Sequence, residues 1–324
     1  MTFKTDLTEL ADVHTYIRPH LSKGEKQFIT RFVDDLPNVE TDGFGNRIVK
    51  IGDTPNVLFS CHTDTVHSPK LGHTRQAVSL QDCVLSLVKD QNGYVLGADD
   101  GAGVWLSREM IKAKVPGLYI FHRGEEHGGL GSSYIAHSEP ETLDGIDFAI
   151  AFDRKGTRDI ITHQGGRTAS DTFAQSLADA IPLDGFRPDD TGLFTDTANY
   201  SGIVSECTNI SVGYEGAHTK NETLDVTHLV MLRDALVETD WKSLTPSRDP
   251  AVDDYEDHWI NNFQWGNYID QRPAVSPTLD VSDHGISMEE LVREYPKMVA
   301  SILEQYGVTC EDLKDEIYIA YGEY

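Results

Sequence analysis

Apolar positions along the chain fall into two rhythms. Short, mostly apolar runs bounded by turn formers predict strands at 46–51, 56–61, 117–122, 146–152 and 204–212, the first two joined by a Gly-Asp-Thr-Pro turn. Helical spacing predicts helices at 101–114, 131–137, 171–180 and 227–244. A longer helical stretch over 6–35 contains a capping-box-like start at Ser22 and Glu25. A hairpin-like stretch lies between residue 61 and the helix at 101, with Asn92-Gly93 as a tight-turn candidate. Strands alternating with helices imply an α/β three-layer sandwich whose central sheet is mixed, mostly parallel and covered on both faces. The texture changes near residue 245. Pro246, Pro250 and the acidic run 253–257 predict a linker, and 287–318 predicts two helices with Gly307 as a stop. The expected organisation is therefore a domain over 1–245 and a helical extension over 246–324.

Charge and composition narrow the function classes. Asp and Glu total 53 against 27 Lys and Arg, a formal charge of −26 over 324 residues. Such a surface repels phosphates and anionic lipid, which argues against nucleic acid or membrane as partner. No run of about 18 apolar residues occurs, and the N-terminus lacks a signal-peptide pattern. The four cysteines (Cys61, Cys83, Cys207, Cys310) are scattered without a CxxC pair, so the expectation is structural thiols in a reducing cytoplasm. A nucleophilic serine or cysteine hydrolase is disfavoured. There is no GxSxG, and Cys61 alternates to the face opposite His62.

Candidate chemistry gathers just after the predicted strands, where open α/β sheets place ligand sites. His62-Thr63-Asp64 follows the strand ending at Cys61, and an acid two residues beyond an imidazole can fix its tautomer. Gly97-Ala98-Asp99-Asp100-Gly101-Ala102-Gly103 enters a helix, its glycines permitting a tight loop and close helix–sheet approach. Glu125-Glu126 follows a strand and precedes a glycine-rich turn, which suits one metal ligand beside one proton carrier. Asp153 ends another apolar run, and His218 lies in Ser211–Thr219. Two imidazoles with several carboxylates suit a pair of divalent ions better than one. Seven further histidines (His67, His73, His122, His127, His137, His163, His228) are read as surface or supporting residues, with His122 and His163 nearest to strand ends.

The ordered motifs HTD, GADDGAG, GEEHGGLGS, AFDRKG and SVGYEGAHT over roughly 20–240 resemble the co-catalytic metallopeptidases of the M20, M28 and M42 groups. The resemblance implies a phosphorylase/hydrolase-like sandwich and two divalent ions, zinc foremost, with cobalt or manganese as alternatives. By position it implies His62, Asp100 and Asp153 around one ion. Asp100, Glu126 and His218 would surround the other, with Asp100 shared. Glu125 matches the general base, and Asp64 the acid that orients a ligand. The 65 residues between Asp153 and His218 leave no room for the M20 lid, nor do those between Asp64 and Asp99 for the large M42 insertion. The expected architecture is thus single-domain and closest to M28.

The implied activity is peptide-bond hydrolysis, with Tyr214 as a minor candidate donor. Rival readings are deacylation of N-acyl amino acids or carboxypeptidase action on the same site, and a catalytically silent metal-binding interaction protein. An acid-dense rim of Asp99, Glu125, Asp196 and Glu215 would favour a substrate's free α-ammonium, hence an aminopeptidase on short peptides. Oligomeric state is not legible.

Overall fold

A computed structural model of the chain describes residues 7–88 and 95–251. The Asn92-Gly93 turn, Cys310 and the acidic run and helices expected beyond residue 251 lie outside the described residues. In chain order the elements are α1 (Leu7–Val13), α2 (Lys23–Phe32), β1 (Glu40–Thr41), β2 (Arg47–Ile51) and β3 (Val57–His62), then the hairpin β4 (Val78–Gln81) and β5 (Val84–Leu87). There follow α3 (Ala98–Lys112), β6 (Gly117–His122), α4 (Leu130–Ser138), β7 (Phe148–Arg154), β8 (Asp159–Ile161), α5 (Asp171–Ala180) and β9 (Arg187–Asp189). The last are β10 (Glu206–Ser211), β11 (Tyr214–Glu215), β12 (Thr223–Asp225) and α6 (Val226–Glu238).

Eight strands form the central sheet in the order β1-β2-β6-β3-β7-β10-β8-β9. β6, β3, β7 and β10 are mutually parallel, while β2 and β8 pair antiparallel on either side of that block. Their period of two sorts side chains into two cores. Phe59, Tyr119, Phe121, Phe148, Ile150 and Phe152 meet Trp105 of α3 and Phe173 of α5 on one face. Leu58, Leu118, Ile120 and Ala149 meet Ile135 of α4 on the other. Each such large apolar side chain contributes about 1.5–3 kcal/mol when fully buried. Helices thus cover both faces, as the alternation of strands and helices predicted.

Local chemistry sets the helix ends. Ser22 and Ser170 accept the amides of Glu25 and Phe173 at the starts of α2 and α5, 3.0 Å each. The long helix expected over 6–35 is instead two, because the segment 14–22 between them contains Pro19 and returns toward the sheet, where the Ile17 amide donates to Thr74. A second sheet, β11-β12-β5-β4, was not expected. Its strands are two to four residues long and partly exposed, too short to carry a readable alternation.

Candidate metal centre

Because β6, β3, β7 and β10 run parallel, their carboxyl ends open on one edge of the sheet. His62 ends β3, and Asp153 is the penultimate residue of β7. Glu125 and Glu126 occupy a 3-10 turn just past β6. His218 lies in the loop from β11 to β12 with a left-handed φ of 63°, a conformation costing a non-glycine residue about 1–2 kcal/mol. Asp99 and Asp100 form the first turn of α3, after Gly97 at φ 73°.

Asp99 stands at the centre. Its Oδ1 lies 3.0 Å from His62 Nε2 and its Oδ2 3.1 Å from His218 Nε2. Asp153 Oδ1 is 3.7 Å and Glu125 Oε2 3.9 Å from His62 Nε2. Glu126 Oε1 is 3.2 Å from His218 Nε2. Donors about 2.1 Å from a tetrahedral zinc ion sit roughly 3.4 Å apart, so these spacings and donor types fit divalent cations.

The sequence placed Asp100 between the two histidines, and the structure puts Asp99 there instead. Asp100 is fully buried, although it remains within 4.8 Å of donors on His62 and Asp153. Its Oδ2 accepts the His62 amide (3.1 Å) and its Oδ1 the Gly103 amide (2.8 Å), so it ties β3 to the start of α3. Gly103 is required here, since a Cβ would sit 2.4 Å from the Asp100 carboxylate. Matching a motif by position cannot separate two adjacent acids whose side chains diverge.

The other expected residues converge. Asp64 Oδ1 accepts the amides of Gly124 (2.9 Å) and Glu125 (3.2 Å), and the Asp64 backbone carbonyl lies 3.2 Å from His62 Nδ1, so this one residue aligns both the glutamate turn and the imidazole. Asp153 receives Thr195 Oγ1 at 2.8 Å. Tyr214 donates to the Asp153 carbonyl at 3.0 Å and is thereby committed to the scaffold. His122 and His163 do not enter the cavity. His122 is buried against Tyr200 (2.6 Å) and Ser60 (3.1 Å), and His163 contacts Thr162 (2.9 Å).

Sequence reasoning missed Glu222 and Arg18. Buried Glu222 accepts the amides of Gly97 (2.9 Å) and Asp99 (3.0 Å), while Arg18 donates to the Gly97 carbonyl at 2.7 Å. Together they hold the loop that presents Asp99. An acid four residues after His218 in a polar stretch carries no signal of this role. A further grouping, His20–Glu25–Asp64, differs in kind, because Arg123 already pairs with both oxygens of Glu25 at 3.0 and 2.8 Å.

The electrostatics are those of a site short of positive charge. Burial, with the charges of Asp153, Asp196 and Glu126, pushes the Glu125 carboxyl well above its usual range. Burial and Asp99 raise Asp153 to about 6. Hydrogen bonds to Asp99 and Glu126 hold His218 up at about 11. Burial disfavours the His62 cation, but hydrogen bonds to Asp153, Asp64 and Asp99 outweigh it and raise the imidazole well above its normal value. Among the described residues no Lys or Arg forms an ion pair with Asp99, Glu125, Glu126 or Asp153. A cation pair would relieve that repulsion.

A cavity of about 510 Å³ opens over the group, lined by Asp99, Glu125, Glu126, Asp153 and His218. Of the four acids expected at the rim, Asp99 and Glu125 line it. Asp196 is buried, bonded to Ser132 at 2.6 Å and 3.3 Å from His122, and Glu215 is not part of the lining. Cys61 and Cys207 are buried thiols and Cys83 is exposed. No helix among the described residues is long and apolar enough to cross a membrane.

No family model matches the chain, and no curated protein does. Solved structures do. A tripeptidase from Staphylococcus aureus superposes with a TM-score of 0.57 at 15% identity, covering 72% of this chain and 96% of that one. The TET1 peptidase of Pyrococcus horikoshii, described as assembling into a tetrahedron or a large octahedral shell, gives 0.56 at 16%, covering 72% and 100%. Aminopeptidase PepT from Bacillus cereus gives 0.54 at 17%, covering 72% and 96%. At these identities the likeness is one of fold, and the chain has the mixed α/β sandwich of these peptidases.

Proposed function

We propose that the chain is a dinuclear metal-dependent hydrolase that cleaves peptide bonds, acting as an aminopeptidase on short peptides. The observation that carries this reading is Asp99, whose two oxygens each face a different imidazole with a further acid beside it. His62, Asp99 and Asp153 would hold one ion, and Asp99, Glu126 and His218 the other. The shared ligand is then Asp99, and Asp100 fixes the backbone beneath it.

When bound, the ions, zinc by donor chemistry, supply Lewis acidity and lower the pKa of water at the site. Glu125 lies beside the His62 set and is held high by burial, which suits it to take a proton from water and return it to the leaving amine. Asp64 keeps Glu125 aligned through its backbone amide. The four acids lining the cavity attract a substrate's α-ammonium. Peptidase descriptions of structures sharing the fold agree with this choice of bond.

The test is digestion of a peptide library by the full chain, read by mass spectrometry, with and without a chelator. Stepwise loss of N-terminal residues, abolished by chelation and restored by zinc, is the expected result. Cleavage of N-acetylated peptides at equal rate would replace this assignment with deacylation or carboxypeptidase action.

A further inference from the structure

The cavity is not acidic throughout. Beyond Asp153 the chain continues as Arg154 and Lys155, and both residues line the same cavity. Arg154 is already engaged, with Asp159 at 3.2 Å, Thr191 Oγ1 at 2.9 Å and Asp189 at 3.7 Å. Lys155 has no ion pair or side-chain hydrogen bond among the described residues, in a chain carrying a formal charge of −26. An exposed lysine is usually solvated surface. This one differs in two respects: it faces the cavity, and its backbone is fixed.

The Lys155 carbonyl accepts Ser211 Oγ at 2.7 Å. The next residue, Gly156, donates to the Tyr214 carbonyl and accepts the Gly213 amide, 2.8 Å each. Two residues of chain span at most about 7 Å between Cα atoms, so the Lys155 stem starts within that distance of Asp153. An extended peptide advances about 3.3 Å per residue. A lysine so placed is within reach of a negative group that a substrate carries one or two residues past the cleaved bond. Leu193 (80% exposed) and Phe194 (43% exposed) line the same cavity and offer apolar contact to intervening side chains.

We infer that Lys155 forms a carboxylate subsite, so that the chain selects short peptides whose free C-terminal carboxylate reaches it. This rests on the peptidase reading above and adds a cation to the acid-dense rim expected from the sequence. The cavity lining then carries both signs of charge, matching a zwitterionic peptide of two or three residues better than a long chain.

The experiment measures binding by calorimetry to zinc-loaded full-length Glu125→Gln protein, with and without Lys155→Gln. The probes are trialanine, trialanine amide, and that amide with glutamate as its middle residue. Parallel steady-state kinetics of the wild type on the same peptides separate KM from kcat. Trialanine should bind about fivefold more tightly than its amide, the upper range for a solvent-accessible ion pair. That preference should appear in KM and shrink to within about twofold in the Lys155→Gln background. Equal binding of acid and amide, or a preference that survives Lys155→Gln, overturns the subsite. Recovery of full affinity by the glutamate amide overturns the terminal-carboxylate form, because Lys155 would then read a side chain. Acid preference without any wild-type cleavage contradicts the peptidase reading and leaves the subsite standing.

Discussion

The loop entering α3 and the turn after β6 each carry two adjacent acids, and the fold uses them differently. In the first, Asp99 faces two imidazoles while Asp100 is withdrawn onto the amides of His62 and Gly103. In the second, Glu125 and Glu126 both line the cavity. The difference follows from what lies behind each pair. The α3 loop is packed against β3 and β7, so one carboxylate must satisfy buried backbone donors. The β6 turn has its amides satisfied from elsewhere, by Asp64, and can present both side chains. At the α3 loop Glu222 takes the amides of Gly97 and Asp99, but those of His62 and Gly103 fall to Asp100, which is thereby withdrawn from the cavity.

The strongest way to break this contrast is at the α3 loop. Asp99→Ala should lower peptide turnover by about 10³-fold or more, because it removes the group common to both donor sets. Asp100→Asn should act chiefly on stability, costing about 1–3 kcal/mol as an amide group is turned toward a buried backbone N–H. Activity assays and thermal melts of both variants would show it, and the reverse pattern would restore Asp100 to the centre.

Next in size is the glutamate pair. Glu125→Gln should lose at least about 10² in kcat with metal content unchanged, the low end for a proton-transfer residue. Glu126→Gln should weaken metal binding on the His218 side. Metal analysis with kinetics on each variant checks this, and exchanged outcomes would exchange the roles.

A smaller effect is expected at Glu222, which holds the Asp99 loop without lining the cavity. Glu222→Gln presents an amide where two backbone donors need acceptors, and should weaken metal affinity by about tenfold, the scale of supporting residues around a metal. Competition with a chromophoric chelator reads the affinity, and an unchanged value would mean the loop is held by Arg18 alone.

The least effect concerns the scaffold histidines. Burial pushes His14 and His67 from 6.5 down to about 4, opposite in direction to His62 and His218. At these two imidazoles the unfolded chain binds more protons than the folded one between these values, so their share of the stability rises with pH through that window and falls on acidification from about 6.5 toward 4. The buried carboxyls of Asp153, Asp196 and Glu222 are raised into the same window and act with the opposite sign, so the histidine share is read as the change in the pH profile of the melting temperature on His14→Gln and His67→Gln substitution. A profile unchanged by both substitutions would show that both imidazoles are accessible to water.

Much of this was legible because the decisive strands are buried on both faces. β3, β6 and β7 read as nearly continuous apolar runs, and the acids and histidines following them stand out against those runs. α5 was readable to the residue from its period. The second sheet was not, since its short strands alternate too briefly, and the break in the first helical stretch depends on Ile17 pairing with distant Thr74. Which of Asp99 and Asp100 faces the site was illegible for a different reason. Both are acids in one loop, and the choice is made by backbone donors that come together only in three dimensions. Glu222 and Lys155 share that fate, because their significance lies in neighbours more than 50 residues away in sequence.

The central claim is that Asp99 joins two cation sites, and metal stoichiometry tests it most directly. Full-length wild-type protein, saturated with zinc and freed of excess, should hold two ions per chain by elemental mass spectrometry. Asp99→Ala treated identically should hold essentially none, while Asp100→Asn should keep two. One ion in the saturated wild type, or two retained in Asp99→Ala, would contradict the account.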